Sequence, residues 1–266
     1  MDKDKSPLMR IPAEIRMMIY EHLLDDGGEG RLAVRNKAMH QLPTGIPKTY
    51  RRSRYRIVER SFHRQCFETT YHLASQTKMH PAIMAVNRQI HRETSHMLYG
   101  LHGFDFGSDV EAVAPFLRDL TPRSRAMIRE LTVRKNGPLY YCESDRLDWA
   151  NMCKCLRELD KMVPKVRIVV EGGEPAAAWE GPQQLGVSDL RLLALIKHES
   201  MEWIAQLKRV EGIEQLEIVP HMRRLRAPGT TSTILYAAFS ASIGTALVEF
   251  LRTDCGLPAT AASLGN

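Results

Sequence analysis

Two groups of cysteine and histidine residues are the first places where this sequence could carry chemistry. His63, Cys66 and His72 have metal-ligand side chains, but no fourth ligand stands at zinc-finger spacing. The second group consists of Cys142, Cys153 and Cys155. Two thiols separated by one residue cannot lie on the same face of a helix. The sequence therefore predicts no metal site, and it predicts free thiols rather than a disulfide framework.

Signatures of catalysis are also missing from the sequence. It contains no Gly-x-Ser-x-Gly elbow and no phosphate-binding loop, and Gly172-Gly173 lacks the third glycine of a dinucleotide fingerprint. Ser188-Asp189 is typical of a helix cap. Glu171 and Glu174 follow a predicted strand, at the end where α/β proteins bind ligands, so they are the first carboxylates to inspect. We predict that the protein is not an enzyme, with no catalytic residues and no cofactor.

A basic stretch between residues 48 and 64 is the strongest local concentration of charge. Its cations are Lys48, Arg51, Arg52, Arg54, Arg56, Arg60 and Arg64, with aromatic residues interleaved. Such a segment can contact a phosphate backbone or act as a nuclear import signal. The alternative is a solvated loop, which we favour, because a net charge of +6 does not indicate a dedicated nucleic-acid protein. Nucleic-acid association therefore stays a weaker alternative function.

Two apolar helices would position whatever binding site the chain has, and the first begins near Pro12. At 100° per residue its expected core stripe is Ile15, Met18, Ile19 and Leu23. Met17, Tyr20 and Leu24 fall on a second apolar face. This second face either packs inside the chain or contacts another protein. The predicted partner-binding residues are Ile11, Pro12, Ile15, Met17, Tyr20 and Leu24.

The second helix is predicted to begin at Pro81 and to end in a left-handed cap at Gly100. Its apolar stripe contains Ile83, Val86, Ile90, Met97 and Leu98. Asn87 lies on the apolar side, where we expect a structural role for it. A short strand, Phe104-Asp105-Phe106, follows the helix.

Together, the two helical segments resemble a known pattern, that of the fungal F-box-like domain family. The matching residues are Ile11-Pro12-Ala13-Glu14-Ile15-Arg16, Ile19-Tyr20, Leu23-Leu24, Asn87-Arg88-Gln89-Ile90, Glu93, Leu98-Tyr99-Gly100 and Phe104-Asp105-Phe106. The resemblance implies a non-enzymatic protein-interaction module. It also implies, as an expectation, a Skp-type adaptor as partner, an unknown protein target, and a role as a substrate-recognition subunit of a cullin–RING ubiquitin ligase. The alternative is a stand-alone α/β protein in which the helix pair is structural.

The chain from residue 104 onward alternates predicted strands and helices. Strands are predicted at 104–106, 128–133, 166–170 and 213–219, and helices at 109–120, 147–162 and 190–207. This alternation predicts an α/β fold with a small, mainly parallel sheet and flanking helices. An irregular leucine-rich-repeat-like stack and a non-repeating α/β layer both fit. We expect a helical module at 8–103 with an insertion at about 25–80, a scaffold at 104–255, and flexible tails at 1–7 and 256–266.

Composition agrees with a globular chain, with 44% hydrophobic and 26% charged residues among 266. The charged start Met-Asp-Lys-Asp-Lys is unlike a secretory signal, so we expect an intracellular protein, cytoplasmic or nuclear. The apolar stretch from Ile234 to Leu251 has large side chains on one face and small ones on the other. That asymmetry predicts a C-terminal helix packed on the core rather than a membrane span.

Overall fold

The computed structural model describes residues 7–25, 30–38, 57–60, 66–74, 79–137, 143–159, 163–175, 184–225 and 230–262. The helices are α1 (Ala13–Leu24), α2 (Arg88–Leu101), α3 (Val113–Asp119), α4 (Pro122–Arg125), α5 (Glu143–Arg157), α6 (Val187–Leu195), α7 (Glu202–Leu207), α8 (Thr231–Ala241) and α9 (Ala246–Thr253). The strands are β1 (Arg31–Ala38), β2 (Ile57–Arg60), β3 (Cys66–Leu73), β4 (Gly103–Asp105), β5 (Glu130–Lys135), β6 (Lys165–Pro175), β7 (Gln215–Leu225) and β8 (Ala259–Ala261). The predicted α/β fold is confirmed.

One sheet of eight strands organises the described chain, in the order β2-β3-β1-β4-β5-β6-β7-β8. β1 and β4 to β8 are parallel, whereas β3 is antiparallel to both β1 and β2. Because β4 to β8 lie side by side in chain order, right-handed crossovers put the connecting helices on one face of the sheet.

The burial of alternate strand residues identifies this helix-covered face. Leu131 and Val133 of β5 are buried, as are Val166 and Ile168 of β6. Leu216 and Ile218 continue the pattern in β7. These residues join side chains of α1, α2 and the later helices in one hydrophobic core, which crosses the predicted boundary at residues 103 and 104. The intervening strand residues project from the opposite side, which we call the polar face.

Four strands were not predicted. β1, β2 and β3 fall in the stretch that we expected to be an insertion, and β8 falls in the expected C-terminal tail. β1 is integral to the sheet, because Arg31, Leu32 and Ala33 pair with Gly103, Phe104 and Asp105 of β4.

Two predicted long helices are each divided in two. The predicted helix 190–207 is interrupted at Lys197, whose positive φ of 54° ends α6, while the His198 amide donates to the Leu193 carbonyl at 2.9 Å. The C-terminal apolar stretch forms α8 and α9, bent by 75°. No single helix in the described ranges is long and apolar enough to cross a membrane, although this bent pair has the required length and composition. Its large side chains Tyr236, Phe239, Ile243, Leu247 and Phe250 are buried, as predicted.

Helix α2, the second of the two predicted apolar helices, also differs from its prediction at both ends. Pro81–Ala85 forms a 3-10 turn, and α2 starts after Asn87, whose side chain accepts from the Ile90 amide at 2.8 Å. The structural role expected for Asn87 is therefore confirmed as an N-cap. The predicted left-handed cap at Gly100 is wrong, because α2 continues through Gly100 to Leu101. Val86, predicted in the apolar stripe, is instead exposed.

Candidate interaction surfaces

The two apolar faces of α1 have the reverse of the predicted arrangement. Tyr20 and Leu24 are fully buried, with exposures of 0% and 1%, and Met17 is half-buried against the core. Ile15 and Met18, expected in the core, are 46% and 63% exposed. The prediction of the core stripe is therefore wrong at Ile15 and Met18, and burial removes Tyr20 and Leu24 from the accessible surface.

Arg16 explains the reversal, because it is a buried cation that joins the two motif segments. Its Nη2 lies 2.8 Å from Oε1 of Glu93 on α2, and its Nε lies 3.2 Å from Oε2. Its Nη1 donates to the Ile11 carbonyl at 2.7 Å. This bidentate geometry holds α1 against α2 with the Arg16 side facing inward.

The carboxylate of Glu93 accepts further hydrogen bonds from two other side chains. The Tyr20 hydroxyl donates to Oε2 at 3.1 Å, and Gln89 Nε2 donates to Oε1 at 3.0 Å. The hydrogen bonds from Arg16 lower the pKa of Glu93 more than burial raises it. Burial, followed by the hydrogen bond to Glu93, raises the pKa of Tyr20. Arg16, Tyr20 and Glu93 thus form a fully paired cluster, which we call the motif cluster.

The accessible side of α1 carries two large apolar residues, Ile15 and Met18, beside the exposed polar residues Glu14, Glu21 and His22. Ile15 and Met18 are one helical turn apart, and half-buried Ile19 lies beside them. We call Ile15, Met18 and Ile19 the outer face of α1. Of the other predicted partner-binding residues, Pro12 is exposed and Ile11 is half-buried. A second apolar ridge is also exposed, formed by Leu192 and Leu195 of α6 and by Ile196, which follows the helix.

Of the residues singled out for metal or catalytic chemistry, those that the structure describes do not form a cluster of metal ligands. Cys153 and Cys155 are buried in α5 as free thiols, and burial raises the pKa of Cys153 to about 12. His72 and Glu174 are exposed. No group of three or more potential metal ligands occurs among the described residues. Asp189, predicted as part of a cap, accepts from the Gly186 amide at 2.8 Å at the start of α6.

Several predicted residues lie outside the described ranges. These are His63, Cys142 and six of the basic residues, namely Lys48, Arg51, Arg52, Arg54, Arg56 and Arg64. Arg60 is the last residue of β2. The role of the basic segment therefore stays a prediction.

A ladder of charges crosses the polar face near the starts of the strands, and sequence reasoning missed it. Arg31 Nε lies 2.9 Å from Glu130 Oε1, and Lys165 Nζ lies 3.1 Å from Glu130 Oε2 and 3.3 Å from Glu217 Oε2. Arg31 and Glu130 meet across β4 because Gly103 stands between them. A Cβ at Gly103 would lie 3.4 Å from both Arg31 Cγ and Glu130 Cβ. Alternating charges in these strands were the available signal.

A second charged group lies on the polar face toward the strand ends. Glu171, whose side chain is 4% exposed, is held by Arg223 Nη2 at 2.7 Å and by Arg134 Nη1 at 3.4 Å. On β1, Arg35 Nη1 donates to the Asp105 carbonyl at 2.6 Å, and its Nη2 lies 3.4 Å from Asp105 Oδ2. Glu171, the first carboxylate chosen for inspection, is thus a buried ion-pair partner.

Comparison with known proteins gives one match. The domain of unknown function DUF7730 matches residues 1–198, which is most of the chain. No curated protein and no solved structure matches the chain. The chain therefore belongs to the DUF7730 family, and the matched region contains both motif helices and the strands through β6.

Proposed function

We propose that this member of the DUF7730 family is a non-enzymatic interaction protein that docks on a partner through the outer face of α1. The observation that carries the proposal is the exposure of Ile15 and Met18 on a helix whose other side is fixed by the motif cluster. Large apolar side chains grouped at helical spacing favour a helix-to-groove contact.

The F-box-like resemblance suggests the partner, a Skp-type adaptor of a cullin–RING ubiquitin ligase. In this proposal the apolar face presented to the adaptor is formed by Ile15 and Met18, next to Ile11 and Pro12, rather than by Tyr20 and Leu24. The α/β sheet then serves as the scaffold that recognises a target.

A pull-down of the Skp-type adaptor by the full chain tests this proposal. Ile15→Glu and Met18→Glu place a charge on exposed positions, so both variants should fold normally. We expect each to reduce adaptor capture at least about tenfold, because the charge would be buried without a partner at the interface. Leu195→Glu is the control, at an apolar residue of α6 that is more exposed than Ile15 and Met18, and it should capture adaptor like the parent chain.

Two results would contradict the proposal. One is failure of the parent chain to capture adaptor. The other is equal capture by the parent chain, Ile15→Glu and Met18→Glu. Tyr20→Asp is unsuitable as a test, because Tyr20 is buried in the core and donates to Glu93 of α2, so its replacement would disrupt the packing of α1 against α2.

A further inference from the structure

Two buried polar atoms on the polar face have no hydrogen-bond partner, Thr132 Oγ1 and Arg134 Nε. They belong to the same strand, two residues apart, so their side chains project from the same face. Thr132 is 6% exposed, and in the strand register it lies between Asp105 of β4 and Arg167 of β6. Both are able to donate hydrogen bonds. A buried donor without a partner is costly, so this pair points to a ligand that supplies an acceptor.

The charge on the polar face is unbalanced at the same place. Near the strand starts, the ladder pairs the cations Arg31 and Lys165 with the carboxylates Glu130 and Glu217. From the row of Thr132 toward the strand ends, the described charged residues of this face are the four cations Arg35, Arg134, Arg167 and Arg223 and the three carboxylates Asp105, Glu171 and Glu217, the last of which lies opposite Arg167 in the register. This second group carries an excess of positive charge around the unpartnered donors.

We propose that this part of the polar face binds an acidic, extended segment of a partner protein, one carboxylate of which accepts from Thr132 Oγ1 and Arg134 Nε. The Arg134 side chain is 32% exposed, and its bond to Glu171 is long at 3.4 Å. A ligand can therefore reach the guanidinium of Arg134 from solvent. Arg167, whose distance to Glu217 is 3.8 Å, lies alongside as a second cation for the segment.

The carboxylates on the face favour a peptide over a nucleic acid. Asp105, Glu171 and Glu217 lie among the arginines, and Glu130 lies beyond them. A continuous polyphosphate would be repelled by these four groups, whereas a peptide can alternate carboxylates with neutral side chains. The proposed site extends the interaction function to a surface distinct from α1, and the two are tested separately.

Fluorescence anisotropy with the full chain can test the site. The probe is a labelled peptide, Gly-Glu-Ser-Glu-Gly-Glu-Ser, and its matched neutral form has Gln at each Glu position. An oligothymidylate of similar length represents the polyphosphate alternative. We expect the Glu peptide to bind at least about tenfold more tightly than the Gln peptide, with affinity that falls as salt rises. We expect the oligothymidylate to bind more weakly than the Glu peptide.

Two variants connect this binding to the proposed site, one at the Thr132 donor and one at the neighbouring cation Arg167. Thr132→Val removes the unpartnered hydroxyl without disturbing an existing hydrogen bond, and we expect it to weaken Glu-peptide binding about fivefold to tenfold. Arg167→Gln should weaken binding and reduce its salt dependence. The control is Arg123→Gln on α4, an exposed arginine on a helix and not on the sheet, which should bind like the parent chain.

The proposal is overturned if the Glu and Gln peptides bind equally, if neither binds, or if Thr132→Val binds the Glu peptide like the parent chain. Tighter binding of the oligothymidylate would overturn it in favour of a phosphate-binding surface. Ile15→Glu should leave peptide binding unchanged, so failure of the α1 proposal and failure of this one are distinguishable.

Discussion

The motif cluster and the arginine-rich part of the polar face are both built from arginines and glutamates, but they differ in completeness. In the motif cluster, Glu93 accepts hydrogen bonds from Arg16, Tyr20 and Gln89. On the polar face, Glu171 is paired, but Thr132 Oγ1 and Arg134 Nε have no partner. A completed cluster holds elements together, whereas an incomplete one leaves donors for a ligand. Arg16, Tyr20 and Glu93 of the sequence pattern are thus structural, and the proposed contact residues Ile15 and Met18 lie on the exposed side of α1.

The largest expected effect comes from breaking the completed cluster. Glu93→Ala would leave the Arg16 guanidinium buried without its carboxylate and remove the acceptor of Tyr20. We expect the free energy of unfolding to fall by about 3 kcal/mol, measured by urea denaturation. The matched control is Glu158→Ala, which removes an exposed glutamate paired with Arg118 at 3.0 Å and should cost less than about 1 kcal/mol. Equal losses in the two variants would contradict the structural role of the motif cluster.

The second-largest effect should come from acid, which should reduce the stabilisation that the motif cluster provides. The folded-state pKa of Glu93 is lowered, chiefly by the hydrogen bonds from Arg16, below an ordinary value of 4.5. A lowered pKa means that the stabilisation is complete above the unfolded-state value and is lost as pH falls through the folded-state value. We therefore expect the urea concentration at the unfolding midpoint to decrease as the pH is lowered below about 4.5. The decrease should be shallower for Glu93→Gln.

Glu130 should add to this acid sensitivity. Burial raises its pKa, but the hydrogen bonds from Arg31 and Lys165 outweigh burial, and the net pKa is lowered. Glu93→Gln should therefore retain part of the acid-induced loss of stability. Parallel curves for the parent chain and Glu93→Gln would show that Glu93 contributes nothing to it.

The smallest effect on folding stability is expected at Thr132 on the polar face. The sign of this effect distinguishes a hydroxyl without a partner from the paired groups of the motif cluster. Thr132→Val removes a hydroxyl that has no partner, so we expect stability to change by less than about 0.5 kcal/mol or to increase. Thr94→Val is the matched control, because the Thr94 hydroxyl donates to the Ile90 carbonyl at 2.6 Å. That control should lose about 1 kcal/mol in the same urea experiment. A larger loss at Thr132 than at Thr94 would mean that the Thr132 hydroxyl is structurally important.

The fold was predictable where apolar residues alternate strongly within one segment. Leu131 and Val133, like Val166 and Ile168, carry that signal, and each pair lies in a strand near its predicted position. β8 carries little signal, because Ala259-Thr260-Ala261 is short and has small side chains. Its pairing depends on β7, through contacts between Leu216 and Ala259 and between Ile218 and Ala261, which local periodicity does not contain.

The orientation of α1 was not predictable from its own residues. Its two apolar faces are comparably hydrophobic, so periodicity alone does not decide which one is buried. The deciding contact joins Arg16 to Glu93, which is 77 residues away in sequence. An arginine can be buried when a carboxylate satisfies its donors, and here the pairing with Glu93 turns the Arg16 side of α1 inward.

The long separation between Arg16 and Glu93 also bears on how the protein is made. Strands β4 to β8 pair in chain order, so each can add to the sheet soon after it is synthesised. α1 leaves the ribosome early but lacks its carboxylate partner until α2 follows, and β1 lacks its parallel neighbour until β4 follows. During that interval Tyr20 and Leu24 are uncovered together with Ile15 and Met18, leaving the nascent helix apolar on both sides. This is the stage of synthesis at which the chain most needs protection from aggregation.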